Sequence, residues 1–142
     1  MRARTSVLPA LLVAAGCLSC VAGCGSRTRP EGEVSGRVRV NGNPVTAGIV
    51  KFFPEDGGTP VGTALRADGT YRATGVPAGR SRVAIETLAF ARLTPPPPAL
   101  DKQLGGPRLR YVPIPPRYER PDTSGLSLEV RRGRASFDID LQ

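Results

Sequence analysis

Short runs of alternating apolar and polar residues constrain the fold of this chain more than any other feature. The clearest run lies near its end, where ASFDIDL (residues 135–141) alternates without interruption. A period of two places successive side chains on opposite faces of a β-strand. Similar patterns occur in VSGRVRV (34–40), SRVAIE (81–86) and LSLEV (126–130). These segments therefore predict strands that are buried on one face.

Turn sequences separate the predicted strands. NGNP (41–44), ADG (67–69) and GVPAG (75–79) combine glycine, proline and short polar residues, which favour tight turns. In the strand after the first turn we expect Val50 and Phe52 to face the interior. Seven short strands with turn signals about ten residues apart predict an all-β fold, a seven-stranded antiparallel Greek-key β-sandwich.

The N-terminal region indicates export. The segment begins with the basic residues of MRAR, continues with an apolar stretch at 7–15, and ends with small residues, as in a secretory signal peptide. Three cysteines lie within residues 17–24, and the sequence has no further cysteine and no histidine. A tetrahedral zinc site would need a fourth ligand, so we expect no metal site here.

The four residues VAGC (21–24) resemble a bacterial lipobox. The resemblance implies that residues 1–23 are a lipoprotein signal peptide and that Cys24 is acylated, for example with palmitate. Several acyl chains make a stable membrane anchor. The alternatives are an ordinary signal peptide, which leaves Cys24 free or removes it, and a poorer box at AAGC (14–17). With Cys24 acylated, no disulfide can form in the mature chain.

Charge narrows the range of partners. The chain carries a formal net charge of +8, and cleavage before Cys24 removes Arg2 and Arg4 but no acidic residue, leaving +6. The arginines are dispersed and form no long basic run, unlike the clustered basic face of nucleic-acid-binding proteins. We expect no nucleic-acid partner, and the charge and the export signal favour anionic surfaces of the envelope.

The mature chain divides into three parts. Residues 24–33 (CGSRTRPEGE) are small and polar and predict a flexible tether. Residues 34–142 predict the sandwich, with a Pro-rich insertion at 88–124. Gly25 stands where an aspartate often retains lipoproteins in the inner membrane, so we expect an exported protein anchored to a cell membrane, with the outer membrane slightly favoured.

The sequence resembles the carboxypeptidase regulatory-like domain in two stretches, VSGRVRVNGNPVTAGIVKFFP and ADGTYRATGVPAGRSRVAI. The shared features are the N-G-x-P turn at 41–44, the D-G-x-aromatic turn at 68–71 and the G-V-P-x-G turn at 75–79. The resemblance implies a transthyretin-like, Ig-like sandwich of the kind found in small exported bacterial lipoproteins. These motifs encode turns, so they indicate fold rather than activity.

The Pro-rich insertion holds the candidate partner site. Its four consecutive prolines, Pro95–Pro98, favour an extended polyproline II segment. After it, aromatic and cationic residues cluster, and we expect the partner-binding residues to be Arg110, Tyr111, Arg117 and Tyr118. In the alternative interpretation, Val112, Ile114 and Tyr118 pin the insertion over an open sheet edge.

We expect no enzymatic activity and no cofactor. Without histidine, no Ser–His or Cys–His pair can activate a nucleophile. Asp56 and Asp68 fit turns, and Asp138 and Asp140 fit the solvent face of a strand. The expected function is a non-catalytic, lipid-anchored module that binds or scaffolds an envelope protein or glycan. The alternatives are a carbohydrate-binding module of the cell surface and a passive structural spacer.

Overall fold

The computed structural model describes residues 29–92 and 108–142. This part of the chain contains nine β-strands and two short 3₁₀ helices, at Leu88–Phe90 and Pro116–Glu119. The strands, in chain order, are β1 Glu31–Val40, β2 Asn43–Pro44, β3 Ile49–Pro54, β4 Val61–Ala64, β5 Thr70–Pro77, β6 Gly79–Glu86, β7 Leu126–Val130, β8 Gly133–Ser136 and β9 Ile139–Leu141. The predicted signal peptide, Cys24 and Pro95–Pro98 lie outside the described residues.

Two sheets pack face to face, which confirms the predicted all-β sandwich. In the first sheet, β1 is central and pairs with β2, β5, β8 and β9. The second sheet has the order β4-β3-β6-β7 and is antiparallel throughout. The sheets approach each other at one corner, where the Thr63 hydroxyl of β4 donates to the Arg72 carbonyl of β5 at 2.8 Å.

The core lies between the sheets and follows the predicted alternation. Val50 and Phe52 of β3 are fully buried, as expected. Tyr71 of β5 is also buried, and its ring centroid lies 6.2 Å from that of Phe52. The other core residues include Val34, Val38, Val76, Val83, Ile85, Val130, Ile139 and Leu141. Ser81 is fully buried, and its hydroxyl has no hydrogen-bond partner among the described residues.

Three details of the predicted strand pattern are wrong. The described residues form nine strands instead of seven, partly because the last predicted strand is divided into β8 and β9. Those two strands run parallel to β1, so the first sheet is mixed rather than antiparallel. The predicted turn at 75–79 is almost entirely strand, since β5 continues to Pro77 and only Ala78 separates it from β6.

The sandwich begins before the predicted start at residue 34. β1 starts at Glu31, and Gly32 pairs with Val76 of β5 and with Gly133 of β8. Arg29 forms an ion pair with Asp56 at 3.0 Å. Residues 29–33 of the predicted tether are therefore part of the fold, because backbone pairing on both sides holds a segment whose composition is polar.

The division between β8 and β9 has a local cause in β1. A Cβ atom on Gly36 would lie 2.0 Å from the Phe137 carbonyl oxygen, so only glycine permits this close approach. At the break, Phe137 N–H donates to the Ser35 carbonyl at 2.8 Å. The Asp138 side chain then accepts the Arg37 N–H at 2.8 Å, taking the place of a backbone acceptor. A carboxylate thus completes the ladder where the strand is interrupted.

Candidate functional site

A polar cleft of about 480 Å³ opens where β1, β5, the turn before β5 and the β8–β9 break meet. Outward-facing residues of two paired strands form its floor, because Arg37 lies opposite Thr70 and Ser35 lies opposite Arg72 in the β1–β5 register. The lining residues are Ser35, Gly36, Arg37, Arg66, Asp68, Thr70, Tyr71, Arg72 and Asp138.

The turn before β5 supplies one wall of the cleft. Asp68 accepts two hydrogen bonds from Thr70 through one oxygen, from the backbone N–H at 2.9 Å and from the hydroxyl at 2.6 Å. Gly69 adopts φ +79°, a conformation that glycine accommodates without strain. The Thr70 hydrogen bonds, assisted by the positive charge of Arg37, lower the pKa of Asp68 below its ordinary value of 3.8. The predicted turn role of Asp68 is confirmed, and its carboxylate stays ionised.

The opposite wall depends on a buried tyrosine. Tyr71 is 2% exposed, and its hydroxyl donates to the Phe137 carbonyl at 2.6 Å. Burial, together with the negative charge of Asp138, raises the pKa of Tyr71 well above its ordinary value of 10. Tyr71 therefore stays neutral, and its hydrogen bond to Phe137 anchors the chain at the break between β8 and β9. Asp138 follows Phe137 and lies at the edge of the cleft. The prediction that Asp138 lies on the solvent side is right, but its side chain also has a structural partner in β1.

Three arginines give the cleft its charge. Arg72 is paired with Glu33, whose carboxylate lies 3.4 Å from Arg72 Nη1 and 3.5 Å from Arg134 Nε. The guanidinium groups of Arg37 and Arg66 have no hydrogen-bond or ion-pair partner within residues 29–92 and 108–142. Arg37 and Arg66 are thus the two cations of the cleft whose donors are open to a ligand.

The candidate residues Arg117 and Tyr118 lie elsewhere, beside the C-terminal residue. Arg117 Nη2 donates to the Gln142 carbonyl and to the Tyr118 hydroxyl, both at 2.6 Å. The Arg117 guanidinium also lies 4.6 Å from the centroid of the Tyr118 ring. Tyr118 is 6% exposed and belongs to the core. Its ring is therefore packed in the core and beneath the Arg117 guanidinium, and its hydroxyl contacts Gln142.

Arg110 and Tyr111 form a separate group near the end of β2. The backbone of Arg110 contacts Thr46, whose hydroxyl donates to the Arg110 carbonyl at 2.9 Å and accepts its N–H at 3.2 Å. Tyr111 is half-buried. The side chains of Arg117 and Tyr118 hydrogen-bond to each other and to Gln142. A partner site made of all four residues stays a prediction.

The second half of the insertion packs as the alternative interpretation expects. Ile114 is 9% exposed, Tyr118 is part of the core, and Val112 packs against the core. β7 pairs with β6 only as far as Val83, where the Ser124 hydroxyl donates to the Val83 carbonyl at 2.6 Å. Beyond that point Glu119 accepts the Thr87 N–H at 3.0 Å and its hydroxyl at 2.8 Å. The insertion therefore covers the part of the β6 edge that β7 leaves unpaired.

The cleft has a weak sequence signature. The residues of its floor occupy polar positions of predicted strands. An ordinary solvent-exposed face has polar residues at the same positions, so the pattern does not distinguish the two. Only the β1–β5 register brings Arg37 beside the ADGT turn at 67–70, and no local pattern specifies that pairing.

Within the described residues, no group of three or more histidine, cysteine, aspartate or glutamate side chains could hold a metal ion. The same part of the chain has no helix that is both long and apolar enough to cross a membrane.

No protein-family model matches the sequence, and no curated protein matches it. Among solved structures, the chain is similar to a DUF3823 family protein from Parabacteroides merdae, with 13% sequence identity and a TM-score of 0.45. The match covers 80% of this chain and 46% of that chain, so this chain spans less than half the length of that protein.

Proposed function

We propose that this protein is a non-catalytic, lipid-anchored module of the cell envelope that binds an envelope component through the cleft whose floor is formed by β1 and β5. The observation that carries the binding role is the pair of arginines, Arg37 and Arg66, which line one cleft and have no partner in the described chain. Cationic groups that line one cleft create a positive potential there, which attracts anionic ligands. The sequence MRAR, its apolar continuation and the VAGC box support export and attachment through Cys24.

The chemistry of the cleft favours binding over catalysis. Asp68 is held ionised by Thr70 and has no proton to donate near neutral pH. Asp138 accepts a backbone N–H of β1 and so has a structural role already. The chain has no histidine to activate the cleft hydroxyls of Ser35 and Thr70.

A cell-surface carbohydrate-binding module is the second candidate. The cleft offers hydroxyl, carboxylate and guanidinium groups, all of which can hydrogen-bond sugar hydroxyls. Its aromatic residue, Tyr71, is buried, so the cleft has no open ring on which a neutral sugar could stack. A passive spacer is the remaining alternative, and it would need no ligand at all.

Chemical crosslinking in intact cells tests the proposal. The protein is captured after crosslinking, the joined molecules are identified by mass spectrometry, and the same sample gives the mass of the mature N-terminus. We expect a dominant envelope component joined near residues 35–37 or 66–72, and an acylated N-terminus at Cys24. Attachment through residues 108–120 would instead favour the insertion as the site. The absence of any joined component would favour the spacer, and an unacylated N-terminus would contradict the anchor.

A Cys24→Ser variant is the matched control for the anchor. Replacing the sulfur atom with oxygen removes the acceptor of the acyl chain and leaves the described sandwich unchanged. We expect the variant to leave the membrane fraction while its circular dichroism spectrum remains that of the wild type. Retention of the variant in the membrane fraction would show that another segment attaches the protein.

A further inference from the structure

We infer that the cleft binds the carboxylate of an acidic saccharide, with Arg37 and Arg66 as its ligands. This inference rests on the proposed function, because it assigns a ligand class to the proposed binding site. The guanidinium group is planar, and its N–H donors can form two parallel hydrogen bonds to one carboxylate. Arg37 and Arg66 line the same cleft, and their donors are not used by other described residues.

The charge of the site selects a ligand with a single negative charge. The cleft and its immediate ion-pair partners contain four arginines and three carboxylates, which leaves one excess positive charge. These groups are Arg37, Arg66, Arg72, Arg134, Glu33, Asp68 and Asp138. A carboxylate neutralises that excess, whereas a phosphate monoester would add a second negative charge close to Asp68 and Asp138.

The polarity of the site selects a hydroxyl-rich ligand. Thr70 uses one oxygen of Asp68, so the other oxygen can accept a sugar hydroxyl, and the Ser35 hydroxyl lies in the same cleft. An apolar peptide side chain would meet no exposed apolar pocket here, since Tyr71 is buried beneath the floor. A neutral sugar lacks the anion that the arginines require and finds no aromatic ring for stacking. An acidic sugar supplies both a carboxylate for the arginines and hydroxyl groups for Asp68 and Ser35.

Isothermal titration calorimetry on the full chain, purified in nonionic detergent, tests this inference. The probe is the methyl glycoside of galacturonate, which carries one carboxylate, and its methyl ester is the neutral control of nearly the same shape. We expect the ester to bind at least about tenfold more weakly, because it cannot form the charge-assisted pair. We also expect binding of the acid to weaken as ionic strength rises, since these arginines are exposed to solvent.

Three variants locate the site. Arg37→Gln and Arg66→Gln each remove one guanidinium group from the cleft, and we expect each to weaken binding of the galacturonate glycoside about tenfold. Arg120→Gln makes the same charge change at an exposed arginine on the segment that packs against β6, and we expect less than a twofold effect. Melting curves that match the wild type confirm that the variants remain folded.

Several results would overturn the inference. It fails if wild-type protein does not bind the galacturonate glycoside at millimolar concentration, if the ester binds equally well, or if Arg120→Gln weakens binding as much as the cleft variants do. Tighter binding of glycerophosphoglycerol, which carries one phosphodiester charge, would assign the cleft to a lipid-type headgroup instead. Each of these outcomes leaves the crosslinking result intact, so a failure of the ligand assignment is distinguishable from a failure of envelope binding.

Discussion

Replacing Tyr71 with phenylalanine tests how the buried hydroxyl supports the cleft. The substitution keeps the ring that packs near Phe52 and removes only the hydroxyl that donates to the Phe137 carbonyl at 2.6 Å. A typical hydrogen bond contributes about 0.5–1.5 kcal/mol, and the carbonyl left without its donor adds to the loss. Phe137 is half-buried, so water can partly replace the donor. We therefore expect Tyr71→Phe to lower the free energy of unfolding by about 1–2 kcal/mol at pH 7.5.

The same substitution has a distinct signature at alkaline pH. Tyr71 has a raised pKa in the folded protein, so the stability linked to its protonation is complete below pH 10, the ordinary value, and is lost as pH rises above it. At pH 11 an unfolded tyrosine is mostly ionised, which lowers the stability of the wild type by about 1.4 kcal/mol. Phenylalanine has no such dependence. The difference between wild type and Tyr71→Phe should therefore nearly vanish at pH 11.

Equilibrium urea unfolding, followed by far-UV circular dichroism at pH 7.5 and pH 11, measures both effects. Tyr111→Phe is the matched control, because Tyr111 is half-buried and its hydroxyl has no hydrogen bond to the described residues. We expect the control to lie within about 0.5 kcal/mol of the wild type at either pH. A Tyr71→Phe protein that is as stable as the control at pH 7.5, or whose deficit stays constant to pH 11, would refute the reasoning.

Three further predictions concern the surroundings of the cleft and the β6 edge. Gly36→Ala places a Cβ atom 2.0 Å from the Phe137 carbonyl oxygen, and urea unfolding should show a loss of about 3 kcal/mol. Glu119→Ala removes the acceptor of the Thr87 N–H and hydroxyl and should cost about 1–3 kcal/mol in the same assay. Asp68 has a lowered pKa, so its contribution is present above about pH 4 and is lost in more acidic solution. The stability difference between wild type and Asp68→Asn should shrink between pH 6 and pH 2.5.

Control substitutions of the same residue types on other strands distinguish these effects from a general sensitivity to substitution. A Cβ atom on Gly62 would meet only side-chain atoms, at 3.3 Å or more, so Gly62→Ala should change stability by less than about 1 kcal/mol. Glu129 is exposed on β7, and Glu129→Ala should lie within about 0.5 kcal/mol of the wild type. If Gly62→Ala destabilises the protein as much as Gly36→Ala does, or Glu129→Ala as much as Glu119→Ala does, the contacts assigned to Gly36 or Glu119 do not explain the loss of stability. For Asp68→Asn, a stability difference independent of pH would contradict the assigned role of the carboxylate.

The faces of the strands follow from local chemistry and could be predicted from the sequence. Alternation at 81–86 and 126–130 predicts which side chains face the core, and Val83, Ile85 and Val130 are buried accordingly. The same pattern carries no information about the partner of each strand. The parallel pairing of β8 and β9 with β1 arises because the chain changes sheets between Val130 and Gly133. That crossing depends on tertiary packing and has no local signal.

The cleft could not be predicted from the sequence, because the residues that line it are distant from one another along the chain. Aromatic and basic residues that are close in sequence indicated Arg110, Tyr111, Arg117 and Tyr118, but Tyr118 packs into the core. The cleft arginines are far apart in sequence, since Arg37 lies on β1 and Arg66 precedes β5. Their convergence requires the β1–β5 register, which places Arg37 opposite Thr70, four residues after Arg66.

Photo-crosslinking from position 67 in intact cells tests most directly whether the cleft is the binding site. Ala67 lies in the chain between Arg66 and Asp68, which both line the cleft, so a photoreactive residue there is close to a bound molecule and replaces no proposed ligand. The account predicts an adduct that carries an acidic saccharide and disappears when Arg37 and Arg66 are both changed to glutamine. An adduct that persists in the double variant, or that forms only from a photoreactive residue at the exposed Leu109, would contradict it.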